Sequence, residues 1–156
     1  MPDIKIIDIE WSERLKIAYD KVEERYILPF DASLDESGLY QIYGRHPIYG
    51  PDVLLYIGET KESEVSGRSF RHRLLEHVGK RFWYHVNLSV ALGSPSVSPL
   101  SIEIQIAESI LIAAHTPALN RKHLDTAKEE SVGYLVRNWG FIGSLMHECS
   151  GEYWRQ

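Results

Sequence analysis

Apolar residues alternate with polar ones at the start of the chain and then recur at helical spacing. The segment at 4–11 reads IKIIDIEW, which predicts a short strand. In the residues that follow, apolar positions three and four apart predict a helix that begins at the capping Ser12 and runs to about Tyr26. Pro29 ends this helix, and residues 31–37 are predicted as a polar loop.

The middle of the chain predicts an antiparallel pair of strands followed by a helix. Segments 38–43 and 53–57 are rich in β-forming residues, and the loop between them contains two prolines, so the strands can pair directly. Residues 59–67 are polar and irregular. A helix is predicted from about residue 70 to 79, and residues 83–92 alternate weakly, as a third strand would.

A second, more apolar helix is predicted after a loop at 93–99. Ser98 and Pro99 form a typical helix start, and the helix ends before Pro117. Residues 134–139 predict another strand. Gly140 and Gly143 then predict a turn, with a return segment from Leu145.

Composition favours one ordinary globular domain spanning residues 1–156. The chain is 44% hydrophobic and 25% charged, and no window approaches eighteen apolar residues. The first residues include acids where a signal peptide needs an apolar stretch, so we expect a cytoplasmic protein without a membrane partner. The single cysteine, Cys149, cannot form an internal disulfide.

Charge is distributed unevenly along the chain. The formal net charge is −5, and residues 1–36 carry all of it, with ten acids and five bases. Segment 68–85 is basic, with five bases against Glu76 alone. Its bases are Arg68, Arg71, Arg73, Lys80 and Arg81, interleaved with His72, His77 and His85. Such a run is either a solvated helix face or a surface for DNA phosphates.

Glu108 is the most informative single residue. In the second helix it shares a face with Ile104 and Leu111. A carboxylate on an apolar stripe needs a paired base, a proton or a metal ion to offset the loss of hydration, unless it lies at the edge of the stripe. A lone carboxylate suits Mg²⁺, which keeps waters and phosphate oxygens as its other ligands.

Arg73 and the two tyrosines of the strand pair are further candidates. Arg73 and His77 lie four residues apart on one helix face, and an arginine can hold two phosphate oxygens. The alternative is a surface arginine beside Glu76. Tyr40 and Tyr56 lie on adjacent predicted strands, where tyrosines are often packing residues and act as bases only if nearby cations favour the phenolate.

The order of five short segments resembles the GIY-YIG nuclease superfamily. The segments are Gly38-Leu39-Tyr40, Tyr56-Ile57-Gly58, Arg73 at the head of RLLEH, Glu108 within a helix, and Pro117-Ala-Leu-Asn120. The resemblance implies an α+β fold with a small mixed or antiparallel sheet flanked by helices. It places the core motifs in residues 38–120, after an acidic strand and helix at 1–36 and before an extension at 121–156.

The resemblance also implies a role for each matching residue. Tyr40 would be the general base or would help to activate water at the metal, and Tyr56 would assist it. Arg73 would bind the scissile phosphate, and His77 would help to move protons or orient Tyr40. Glu108 would be the one protein ligand of a single Mg²⁺ or Mn²⁺ ion.

The remaining implied roles concern structure and partners. Gly38, Gly58 and Asn120 would be structural, and Asn120 would tie the loop after the second helix to the sheet. Duplex DNA would be the partner, and sequence-specific cutting would require either a homodimer or the inserted loops. The residues expected to contact DNA are Arg68, Arg71, Lys80, Arg81, Arg121 and Lys122.

Departures from the family pattern leave alternatives open. Leu39 replaces the isoleucine of the first triplet, and residues 59–67 lengthen the stretch before the arginine, so Arg71 or Arg68 could hold the phosphate instead of Arg73. The acidic residues 1–36 would pack on the sheet, mask the basic face or contact another subunit. The alternative functions are an inactive binding module on the same fold and a protein-interaction role for the acidic segment.

Overall fold

The computed structural model describes residues 3–61, 69–80 and 87–152, without the side chains of 78–80. Its strands are β1 (Lys5–Trp11), β2 (Leu15–Lys16), β3 (Ala18–Asp20), β4 (Arg25–Ile27), β5 (Leu39–His46), β6 (Gly50–Glu59), β7 (Ser89–Pro95), β8 (Tyr134–Gly140) and β9 (Glu148–Ser150). Its helices are α1 (Phe70–Lys80) and α2 (Ile102–His115), with 3-10 turns at Ala32–Asp35 and Glu129–Ser131.

One mixed sheet organises the chain. Its strands lie in the order β6-β5-β7-β1-β8-β9, and β2 also pairs with β7. The β1–β8 pair is parallel, and the other pairs in the sheet are antiparallel. Strands β3 and β4 form a separate hairpin. The predicted α+β class, with a mixed sheet and helices packed against it, is confirmed.

The predicted helix from Ser12 to Tyr26 is wrong. This segment forms β2, β3 and β4 instead. Leu15 and Lys16 pair with β7, and the N–H of the buried Ile17 donates to the Leu88 carbonyl just before that strand, 2.9 Å away, so these bonds replace those of a helix at the start of the segment. Val22, which the helical stripe would bury, is 93% exposed in a turn whose N–H groups donate to the Asp20 carboxylate.

Several element boundaries also differ from the predictions. Strand β7 extends into the predicted loop at 93–99, while residues 81–86 of the predicted strand segment lie outside the described residues. Helix α2 is capped at Ser101 rather than Ser98, because the Ser101 N–H and hydroxyl both donate to the Ser98 carbonyl and close a turn there. The predicted strand pair, α1, the end of α2 before Pro117 and strand β8 are confirmed.

Two apolar clusters hold the helices on opposite faces of the sheet. One cluster joins Leu39 and Ile57 to the buried face of α2. The other joins Tyr40 and Ile42 to α1, through Phe70 and Leu74 among others. None of the helices in the described ranges is long and apolar enough to cross a membrane.

The outer edge of β6 is covered by the loop that follows α2. The Leu119 N–H donates to the Leu55 carbonyl over 2.8 Å, and the Ala118 N–H donates to the Leu54 carbonyl over 3.4 Å. The loop at residues 117–120 therefore forms hydrogen bonds with carbonyl groups of β6 that would otherwise be exposed at the edge of the sheet. This seam between β6 and the loop positions the candidate site.

Candidate active site

A pocket of about 470 Å³ opens beside the covered edge of β6. Its wall comes from β6 and the residues after it, from α1, from α2 and from the loop after α2. The described lining residues are Tyr56, Glu59, Lys61, Arg73, Gln105, Glu108, Ile112, Asn120, Arg121 and Lys122. Three regions far apart in the sequence, at residues 56–61, 73 and 105–122, therefore meet in one hollow, and three of the five predicted catalytic residues line it.

The pocket forms where the two faces of the sheet meet. Tyr56 pairs in register with Ile42, whose side chain packs in the cluster of α1. Glu59 pairs with Leu39, which packs in the cluster of α2, the helix that carries Glu108. Because β6 lies at the end of the strand order, side chains from both of its faces can reach around the edge into one pocket.

Glu108 is a carboxylic acid with a strongly perturbed titration. Burial raises its pKa from 4.5 to about 8, with a further increase from nearby Glu59, while Arg73, Lys128 and Lys122 act in the opposite direction. Its helix neighbours at one turn, Ile104 and Leu111, are fully buried, as the apolar stripe predicted. Glu108 is thus held in a poorly hydrated position that disfavours its charge.

Tyr40 lies behind the pocket rather than on its wall. Its side chain is fully buried, and its hydroxyl is 2.7 Å from His77 Nε2. The Tyr40 ring stacks near Tyr56 with centroids 6.1 Å apart, and the Tyr56 and His77 rings lie 4.5 Å apart. The three rings form one cluster, in which Tyr56 alone also lines the pocket.

The Tyr40 phenol is held in its neutral form in this arrangement. Burial raises its pKa well above the ordinary value, and the nearby Tyr56 raises it further, while Arg73 lowers it. A neutral phenol can donate its proton to Nε2 of a neutral His77 across the 2.7 Å contact. The Tyr40 oxygen can therefore accept a second proton only if its own proton moves to His77 Nε2 at the same time.

Of the two arginines of α1 that the structure describes, Arg73 is the one at the pocket. Its Nη1 donates to Glu76 over 2.8 Å, and 17% of its side chain is exposed. Arg71 instead contacts Asp35, with 3.2 Å between Nε and the carboxylate, and reaches the carbonyls of Pro29 and Asp31. Of these two candidates, only Arg73 lines the pocket.

Two of the six predicted DNA contacts line the pocket, and the others do not contribute to its described wall. Arg121 and Lys122 follow Asn120 directly and lie at the pocket. Arg71 forms an ion pair with Asp35, so a residue of the acidic N-terminal segment covers part of the basic face of α1. Arg68, Arg81 and the side chain of Lys80 lie outside the described residues.

Asn120 and the glycine of the second triplet maintain the geometry around the pocket. Asn120 Oδ1 accepts from the Ile57 N–H over 2.9 Å, and its Nδ2 donates to the Ile57 carbonyl over 3.0 Å, so the loop is tied to β6 at this point. A Cβ at Gly58 would collide with the Tyr40 phenol ring. A Cβ at Gly38 would collide with the carbonyl of Gly93.

Sequence reasoning missed three polar residues of the pocket wall: Glu59, Lys61 and Gln105. The residues after Gly58 were predicted as an irregular loop, whereas Glu59 belongs to β6 and is only 8% exposed. Lys61 follows directly, and Gln105 precedes Glu108 by nearly one helical turn. Their position directly after the second triplet, Tyr56-Ile57-Gly58, was the one sequence signal that could have indicated that Glu59 and Lys61 lie at the pocket.

The pocket has the donor chemistry for one hard divalent cation. Within the described residues there is no group of three or more acids, histidines or cysteines that could hold a metal ion by itself. Mg²⁺ needs few protein oxygens, and Glu108 offers a carboxyl group whose ionisation burial disfavours and a bound cation would favour, with Glu59 on the same wall. The residues therefore fit the single ion that the sequence predicted.

Comparisons with protein families, with curated proteins and with solved structures find no match for this chain. The basis for a function is therefore the chemistry of the pocket together with the order of the five sequence segments.

Proposed function

We propose that this protein is a divalent-metal-dependent endonuclease that hydrolyses phosphodiester bonds in DNA. The observation that carries the proposal is the meeting of Tyr56, Arg73 and Glu108 in one pocket, although they lie on a strand and two helices far apart in the chain. Tyr40 and His77 lie directly behind Tyr56. These are the five residues that the GIY-YIG resemblance assigns to catalysis.

The charge of the pocket suits a phosphodiester. Its wall holds four bases, Lys61, Arg73, Arg121 and Lys122, against two acids, whereas the chain as a whole carries −5. A local excess of positive charge in a concave site attracts anions and stabilises the charge that develops on a phosphoryl group. A pocket that served only packing would not gather four cationic side chains.

Each residue has a defined part in the proposed hydrolysis. Arg73 would exchange Glu76 for two oxygens of the scissile phosphate and would hold that phosphate in line with the attacking water. Tyr56 would position the water at the pocket wall. Because Tyr40 is enclosed behind Tyr56, the proton of the attacking water would leave by way of the Tyr56 hydroxyl at the pocket wall. It would pass to the Tyr40 oxygen while the Tyr40 proton moves to His77 Nε2.

Glu108 would hold the cation, with Glu59 beside it on the wall. When bound, a divalent ion would supply positive charge that stabilises the departing oxygen. The bond to the 3′ oxygen would break, and that oxygen would take up a proton from solvent. The products would be a 5′-phosphate and a 3′-hydroxyl.

The test is nicking of supercoiled plasmid in the presence of Mg²⁺ or Mn²⁺. We expect nicking by the wild-type protein, and its loss with EDTA and in Glu108→Gln. Glu103→Gln is the matched control, because Glu103 lies on the same helix but does not line the pocket, and it should cut normally. Equal cutting by Glu108→Gln and the wild type would overturn the assignment of the metal ligand.

The complete burial of Tyr40 favours one alternative, a binding module that has kept the fold but does not cut. The same four bases would hold DNA phosphates without chemistry. DNA binding by the wild type with no nicking in either metal would favour this alternative over the nuclease.

A further inference from the structure

A second pocket, of about 610 Å³, shares the lining residue Asn120 with the candidate active site. We propose that it binds the base of an unpaired nucleotide adjacent to the scissile phosphate, so that the preferred DNA is a duplex with a locally unpaired nucleotide. This inference rests on the proposed function, because the proposed function makes the neighbouring pocket the binding site of the scissile phosphate. The volume lies within the range of about 300 to 1,000 Å³ that is typical of small-molecule sites.

The two pockets are arranged along one rigid seam. Leu54 lines the second pocket and Tyr56 lines the first, and the two residues flank Leu55 at a break in the β5–β6 register. Asn120 lines both pockets, and its two hydrogen bonds to Ile57 hold the loop against the strand between them. A nucleotide chain with a phosphate in the first pocket therefore passes the second.

The lining of the second pocket favours a base rather than a phosphate. None of its described lining residues is Lys or Arg, whereas the first pocket has four. Apolar surface from Leu54 and Pro117 stands beside two polar side chains, Thr116 and Asp125. A carboxylate repels a phosphate but accepts hydrogen bonds from the amino groups and ring N–H groups of bases.

Tyr49 supplies an aromatic surface at the mouth of this pocket. It is the last residue of the turn between β5 and β6 and is 66% exposed, and its ring stacks on His46 with centroids 4.6 Å apart. His46 Nδ1 accepts from the Tyr49 N–H over 3.2 Å, which holds the turn and the ring in place. An exposed, fixed tyrosine beside a phosphate site is the arrangement on which unpaired bases stack.

The requirement for an unpaired nucleotide follows from access. A base within a continuous duplex is stacked on its neighbours and bonded to its partner strand, so it must leave the stack to enter a pocket. A nucleotide that is already unpaired avoids most of that cost. The second pocket would therefore select bulges, flaps or strand ends over uninterrupted duplex.

The experiment couples a change in the protein to a change in the DNA. Binding is measured in Ca²⁺ by fluorescence anisotropy for three DNAs: a duplex with one unpaired nucleotide, the same DNA with an abasic unpaired position, and a fully paired duplex. We expect the wild type to bind the first about 10-fold more tightly than the second. Tyr49→Ala should bind these two equally and should bind the paired duplex like the wild type.

Ile48→Ala is the matched control, since Ile48 is 81% exposed and adjacent to Tyr49 but does not line the pocket. It should keep the wild-type preference. Equal binding of base-containing and abasic DNA by the wild type, or identical behaviour of the two variants, would overturn the base site. Those results would leave the proposed nuclease activity intact if plasmid nicking is observed. Conversely, a preference for the base without any nicking would refute the nuclease activity and support the base site.

Discussion

Glu108→Gln should make the stability of this protein less dependent on pH. Burial raises the pKa of Glu108 from 4.5 to about 8 in the folded protein, and in the unfolded chain the group titrates near its ordinary value. Between these two pH values the folded state binds more protons than the unfolded state. The free energy of unfolding therefore falls as pH rises from about 4.5 to about 8 and levels off above that.

The magnitude follows from the size of the shift. The difference between 4.5 and about 8 corresponds to about 5 kcal/mol when the carboxylate is ionised, at about 1.4 kcal/mol for each pH unit. The side chain is half-buried at the pocket wall, so water screens part of this cost. We expect a loss of about 2 kcal/mol, which confines most of the fall in stability to the lower half of this pH interval. Glutamine has nearly the same shape and carries no charge, so its variant should not experience this loss.

The assay is urea unfolding of the wild type and Glu108→Gln at pH about 4.5 and about 9. The variant should be equal to the wild type at the lower pH and more stable by about 2 kcal/mol at the higher one. Glu103→Gln, on the same helix but outside the pocket wall, is the matched control for the substitution itself. A constant difference between wild type and Glu108→Gln across this range would refute the reasoning, because an ionisation cost must grow with pH.

Magnesium provides an independent measurement on the same samples. At pH about 9, Mg²⁺ at about ten times its Kd should stabilise the wild type by about 1.4 kcal/mol, because a ligand of the folded state adds its binding free energy. Glu108→Gln should gain much less. Equal stabilisation of both proteins would exclude Glu108 as the cation ligand, whatever the nuclease assay shows.

Further predictions concern the ring cluster, the phosphate position, the seam and the thiol. Tyr40→Phe should abolish nicking, leave DNA affinity nearly intact and lower the free energy of unfolding by about 1 kcal/mol, since it removes one buried hydrogen bond; normal nicking would exclude Tyr40 from the chemistry. Arg73→Ala should weaken both nicking and DNA binding, and wild-type affinity would contradict its role. Asn120→Ala removes two hydrogen bonds to the Ile57 backbone and should cost about 2 kcal/mol in urea unfolding; an unchanged midpoint would argue against the seam. Burial raises the pKa of the Cys149 thiol to about 12, so a thiol reagent at pH about 8 should label the folded protein far more slowly than the protein in urea; equal rates would show that the thiol is accessible.

Local sequence was sufficient where an element is long or has unambiguous ends. Helix α2 has fourteen residues and stops before Pro117, and the strand pair of β5 and β6 is rich in β-forming residues around a proline-containing loop. In these segments the apolar period, the propensities and the turn residues agree. The segment from Ser12 to Tyr26 lacked such agreement, because its few apolar residues fit a helix and short strands almost equally well.

The candidate site could be anticipated in part. The order of the five segments identified Tyr56, Arg73 and Glu108, which line one pocket, and Asn120, which joins the loop to β6. It did not reveal that Tyr40 would be enclosed behind Tyr56, or that Glu59 would face Glu108. Those relations depend on which face of β6 each residue occupies and on how far the strand extends, and both are set by pairing with β5.

The amino-acid sequence by itself determined the chemical inventory, the two helices with their apolar faces and the strand pair that carries the two tyrosines. Short-range interactions decide these features, since helix periodicity, turn residues and caps act over a few positions. Tertiary structure decided that β2 would pair with β7 and β3 with β4, that Asp35 would form an ion pair with Arg71, and that the side chains of both sheet faces would meet at the edge of β6. These outcomes depend on contacts between residues tens of positions apart, whose energies no local pattern contains.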